Sequence, residues 1–154
     1  MSQPTLNANR SRRHASGFTL IELMVVIAVV AILGTLAVST YRSYILRTNR
    51  TEGRMALLAT QVAQEKFFLQ NNQYAQDIAT VIAAPPAGLG INLTAGGVTT
   101  GGNYTVSFSA VTANTYTLQA VATGTQTRDT AACLTFTINE QGQRTPADST
   151  GCWR

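Results

Sequence analysis

The chain has 154 residues, of which 45% are hydrophobic and only 12% charged. That charge content is about half the ~25% of an ordinary soluble domain, which excludes a disordered polyelectrolyte, and the length suits one domain plus an appendage. A formal charge of +4 points first to nucleic acid or an anionic membrane, a reading that depends on where the charges sit.

In chain order, Arg10, Arg12, Arg13 and the only histidine, His14, precede an apolar stretch from Phe18 to Val38 that holds one charge, Glu22. No charged side chain occurs from Leu23 to Tyr41. About 20 helical residues span the roughly 30 Å of a bilayer core, so a transmembrane helix is predicted over 18–41. A secretory signal peptide is the alternative, with Ala37-Val38-Ser39 as a weak cleavage site. The run exceeds the ~7–15 apolar residues of such signals, however. Arg42, Arg47, Arg50 and Arg54 follow the stretch closely, so basic residues on both flanks leave its orientation undecided.

Beyond Tyr41 the pattern turns amphipathic. Tyr44, Ile45, Met55, Leu58, Val62 and Leu69 recur at helical spacing and are expected to pack on the core of a small head. One helix from Phe18 to about Gln70 would be ~80 Å long, ended by Asn71-Asn72 because asparagine tolerates the left-handed conformation. Residues 73–102 contain Pro85-Pro86, Gly96-Gly97 and Gly101-Gly102, and predict a connecting loop with a short helix around Asp77–Ala84. These glycines lack the context of a phosphate-binding loop.

Alternation then predicts antiparallel strands through Tyr104, Val106 and Phe108, through Tyr116, Leu118, Ala120 and Ala122, and through Leu134, Phe136 and Ile138. Glu140-Gln141-Gly142 reads as a turn into a last short strand. The fold class is α+β: an antiparallel sheet packed on the second half of a long helix.

Cys133 and Cys152 are the only cysteines. An oxidising compartment would join them, closing a loop whose crosslink stabilises by ~3 kcal/mol, and would place the head outside the cytoplasm. Two free buried thiols are the alternative. Glu22 carries its own argument, since a lone carboxylate in hydrocarbon costs roughly 2.5–3.5 kcal/mol and needs a cation at similar depth. A cut between Gly17 and Phe18 would supply one, as a new α-amino group.

The heptapeptide Gly17-Phe18-Thr19-Leu20-Ile21-Glu22-Leu23, behind its basic leader, resembles the class III signal of prepilins. The segment from Ser16 to Arg54 resembles type IV pilins. That resemblance implies that residues 1–17 are a leader, that a prepilin peptidase cuts after Gly17 and methylates Phe18, and that Glu22 pairs with a neighbouring subunit's new N-terminus. It further implies a filament-core helix over 18–41 and a pilin head over 42–154. Other pilin subunits, an inner-membrane assembly platform and, before assembly, membrane lipids are the implied partners. The chain would sit in a bacterial inner membrane with its head in the periplasm, then in an extracellular pilus.

Asp129, Cys133, Asn139-Glu140-Gln141-Gly142 and Cys152-Trp153 resemble the PilE-like minor pilins. One departure is Ser39, where many type IV pilins carry a helix-bending proline; any local melting on assembly should centre near Gly34.

Removing the leader would remove His14, and with it any histidine-based catalysis or metal ligation. The remaining carboxylates, Glu52, Glu65, Asp77, Asp129, Glu140 and Asp148, are scattered singly and read as solvated surface residues. No enzyme activity, metal or cofactor is expected. Two further readings stay open. A type II secretion pseudopilin shares the same signal, and a minor pilin could capture DNA through Arg128, Arg144 and Arg154, helped by Lys66 and Arg54. The charge gives the latter little support: 8 basic residues face 7 acidic ones after position 17, and 6 face 6 from Thr48 onward.

Overall fold

The computed structural model describes residues 17–153. The leader arginines, His14 and Arg154 lie outside the described residues. The chain divides into two units, one reaching Ser39 and the other running from Thr40.

In the first unit the expected helix begins at Leu20, two residues later than the sequence pattern suggests, and α1 runs over Leu20–Asn71. Thr19 accounts for the later start. Its carbonyl accepts the Leu23 N–H and its Oγ1 accepts the Glu22 N–H, each at 3.2 Å, so the chain closes its own first turn. Threonine three places before glutamate is the capping-box pattern, and the Glu22 charge suits the positive end of the helix dipole. Helical structure continues unbroken through Gly34 and Ser39. The apolar part is long and apolar enough to cross a membrane, and none of it is buried.

In the second unit α1 ends at Asn71, and Asn72 adopts the left-handed φ of 53° anticipated for the stop. The short helix α2, Ile78–Ile82, is capped by Asp77, whose carboxylate accepts the Thr80 N–H at 2.6 Å. Four strands follow as an antiparallel meander in the order β1 Tyr104–Val111, β2 Tyr116–Ala122, β3 Thr135–Asn139 and β4 Arg144–Thr145. An irregularity at Ser109 lets β1 reach Val111 while keeping Ala110 paired with Thr117. Leu134, expected in β3, instead ends the 3-10 turn Ala131–Cys133.

Register stacks small against large on the inner face. Val106, Ala120 and Phe136 form one row, and Phe108, Leu118 and Ile138 the next. Outward, Thr105, Ser107, Thr117, Gln119, Thr135 and Thr137 alternate with these core residues and bear no charge.

The helix meets this core along a different stripe from the expected one. Arg50, Gly53, Leu57, Thr60 and Gln64 are the buried positions, recurring every three or four residues. Tyr44, Met55, Val62 and Leu69 instead face solvent, Val62 at 72% and Leu69 at 83% exposure, while Ile45 is also exposed and Leu58 half-buried. Most of the apolar stripe therefore lies off the head's core, with Leu58 packed against it. Polar residues win the buried face because partners from distant chain satisfy them. The Gln64 amide is an example: Nε2 donates to the Ala75 carbonyl and Oε1 accepts the Ala75 N–H, both at 2.8 Å.

Candidate functional site

At the amino-terminal end of the first unit, Gly17, Phe18 and Thr19 precede α1 in irregular backbone, and all three are exposed. Phe18 is 84% exposed, and among the described residues nothing lies within 4 Å of where a Gly17 side chain would begin. No described residue therefore covers the Gly17–Phe18 bond. Every described side chain from Leu20 to Val38 is exposed as well, so the helix presents an apolar surface on all sides with Glu22 as its single charge. An all-round apolar helix needs a membrane or other helices around it.

The head carries a polar network that the sequence pattern missed. Arg50 donates from Nε to Asp129 Oδ2 at 2.7 Å and from Nη2 to Oδ1 at 2.6 Å, with the Asp129 side chain only 4% exposed. Thr130 N–H adds a 2.7 Å bond to Oδ1, and Gln126 Nε2 reaches Asp129 Oδ2, the Tyr104 hydroxyl and the Leu46 carbonyl. Burial pushes the Asp129 carboxyl up, but the Arg50 hydrogen bond and charge, with Thr130 and Gln126, outweigh it and hold it below the usual range. Burial drives the Tyr104 hydroxyl up to about 12.

Three more of the carboxylates read as solvated surface residues accept hydrogen bonds from distant chain, Glu65 while remaining exposed and Glu52 and Glu140 half-buried. Glu52 accepts the Gly101 N–H and the Asn103 amide, and so ties the connecting loop to α1. Glu65 receives the hydroxyls of Tyr74 and Tyr116, and Glu140 receives the Tyr116 N–H. Single acidic residues cannot reveal such partners, because each lies between 9 and 51 positions away.

Cys133 and Cys152 are joined in a disulfide, with their Cα atoms 5.4 Å apart, and both are buried. Trp153 follows, its ring edge-on to Phe136 and its Nε1 donating to the Thr145 carbonyl at 3.0 Å.

Of the arginines considered for DNA, Arg128 and Arg144 lie on different elements. Arg128 ends the 3-10 turn Gly124–Arg128, whereas Arg144 lies on β4 over the Trp153 ring, 5.2 Å from its centroid. Arg54 is occupied locally by the Arg50 carbonyl and the Thr51 hydroxyl. Among the described residues no group of three or more His, Cys, Asp or Glu is placed to hold a metal.

Comparison with known proteins decides the family. Residues 12–38 match the prokaryotic N-terminal methylation motif, and residues 39–137 match the family described as type IV minor pilin ComP, DNA uptake sequence receptor. The chain belongs to this family of type IV minor pilins.

Major subunits of type IV pili are among the proteins it is similar to. It is 33% identical over 112 residues to the type IV wide pilus major component PilA4 of Thermus thermophilus, covering 73% of this chain and 77% of that one. Against the type IV major pilin protein PilA of Myxococcus xanthus it is 33% identical over 81 residues, covering 53% of this chain and 36% of the relative. The pilin thus spans about a third of that relative's length. A solved type IV pilin from Shewanella oneidensis aligns with a TM-score of 0.48 and 22% identity over 71% of this chain and 98% of the other. Type IV pilins are filament subunits, built here on a long amino-terminal helix and a four-stranded head.

Proposed function

We propose that this pilin is a structural, non-enzymatic subunit that enters a type IV pilus through its apolar amino-terminal helix after a prepilin peptidase cuts between Gly17 and Phe18 and methylates Phe18. The observation that carries the reading is the wholly exposed apolar helix surface with one carboxylate, Glu22, in its first turn. Glu22 then pairs with the methylated terminus of a neighbouring subunit, since two opposite charges in one apolar layer relieve each other's insertion cost. Before assembly the helix resides in the inner membrane beside the assembly platform, with the disulfide-closed head in the periplasm.

Co-expression with a prepilin peptidase tests this. The expected result is loss of 17 residues, blocked by Gly17→Ala, and recovery of the shortened chain in sheared surface fibres. An uncut chain, or one confined to secretion complexes, would overturn the pilus reading, the latter in favour of a pseudopilin.

A second reading, DNA capture, is favoured by the description of the matched family as a DNA uptake sequence receptor. Arg128 and Arg144 are both exposed, yet they lie on separate elements and Arg144 is stacked on Trp153. A mobility shift with duplex DNA that weakens steeply with salt supports this role, and absent or salt-independent binding removes it.

A further inference from the structure

Beside the disulfide, the head opens a cleft of about 310 Å³ rimmed by Arg47 and Arg50 of α1 and by Thr130, Ala132, Thr150 and Gly151 of the carboxy-terminal part. That volume suits a small polar group rather than a trapped water. Arg50 is nine-tenths buried; Nε and Nη2 donate to Asp129, Nη2 also reaches Thr130 Oγ1 at 3.5 Å, and Nη1 has no partner among the described residues. The Asp129 carboxylate is saturated by Arg50, Gln126 and the Thr130 N–H, so its charge is already matched. Arg47 is exposed and makes no hydrogen bond or ion pair among the described residues. The cleft therefore holds one uncompensated positive charge, a second guanidinium with an open nitrogen, and a threonine hydroxyl.

We propose that this cleft binds the phosphate of an anionic glycerophospholipid while the subunit resides in the membrane. The proposal rests on the membrane residence argued above. Guanidinium groups match phosphate oxygens in geometry and charge. Arg47 lies six residues past Tyr41, where the charge-free run ends, which is about 9 Å of helix. Helical side chains lean toward the helix's amino-terminus, and this returns the Arg47 guanidinium toward a headgroup layer ~5–7 Å thick. A nucleic acid would need several phosphate contacts, whereas 7 basic against 6 acidic residues from Arg47 onward give the head only a weak field to gather a polyanion. One lipid phosphate needs only the cleft.

The test follows the backbone amides of Thr130, Ala132 and Gly151 by NMR in the full chain, held in a maltoside detergent. Dihexanoyl phosphatidylglycerol should shift them saturably and dihexanoyl phosphatidylcholine should not. Arg47→Gln should weaken that binding at least tenfold while amides remote from the cleft stay in place, and Arg47→Lys should restore part of it. Unmoved amides, equal shifts with phosphatidylcholine, or saturation by inorganic phosphate at the same concentration would each overturn the lipid assignment. So would duplex DNA moving the same amides at lower concentration. Cell fractionation separates the two premises. A chain absent from membranes overturns membrane residence and the lipid with it, whereas a membrane-bound chain with unmoved amides overturns the cleft alone.

Discussion

Arg50 and Asp129, 79 positions apart, form a two-bond ion pair that is the one ion pair among the described residues. It fastens the connection between β2 and β3 to the helix. Removing one partner leaves the other charge buried, which costs about 3 kcal/mol or more. Arg50→Gln and Asp129→Asn should each lower the unfolding temperature by several degrees. The double variant should fall short of their sum by at least ~0.5 kcal/mol, as thermal unfolding of all three chains will read.

Acid should loosen the same fastening. The carboxyls of Asp129, Glu52 and Asp77 are all held below their ordinary range in the folded head. A depressed folded pKa contributes stability above the unfolded carboxyl value, near 4, and loses it as pH falls through the folded value. Melting temperature should therefore be nearly level between about pH 7 and pH 5 and decline below about pH 4. Asp129→Asn should make that decline shallower.

Gly53 is fixed by contact rather than by backbone conformation. A Cβ there would meet Tyr104 Cγ at 2.8 Å and both Cδ atoms at 3.0 Å, against a ring that is fully buried. Gly53→Ala gains about 1 kcal/mol of helix propensity but forces the core apart, at a cost of roughly 1–3 kcal/mol. Chemical denaturation should show net destabilisation. Gly34→Ala, with nothing within 4 Å, should show none.

The disulfide is the second fastening of the head. Replacing Cys133 and Cys152 together by serine should cost about 3 kcal/mol, as expected for closing a loop of this length. The same loss should appear on adding reductant to the native chain, with two thiols then counted by a thiol reagent.

Variants on the exposed stripe of α1 should separate folding from assembly. Val62 and Leu69 face solvent, so Val62→Glu should leave head stability within about 0.5 kcal/mol of the native value. Its recovery in sheared fibres should fall severalfold. Glu22→Ala should likewise be cut normally yet enter fibres poorly.

These contrasts mark how far the sequence carries. Strand positions were legible because Tyr116, Leu118, Ala120 and Ala122 alternate with polar neighbours, and a half-buried strand has no other solution. The helix stop at Asn72 was legible from its residue type. The packed face of α1 was not, because Arg50, Thr60 and Gln64 look like solvent positions until distant groups are brought to them. Asp129 was misjudged for the same reason: its partners lie at Arg50 and Gln126, and only the fold brings them within reach. At the amino-terminus the reverse held. Gly17, Phe18 and Glu22 stand out by spacing alone, while their roles depend on other molecules.

The Thr19 cap has one more consequence. The first hydrogen bonds of α1 run from Glu22 and Leu23 back to Thr19, and none among the described residues involves Gly17 or Phe18. On the proposed processing, a cut after Gly17 would take no hydrogen bond from this first turn. It would add a charge and leave the helix register from Thr19 onward as it is, so the rigid part of the subunit would need no refolding after the cut.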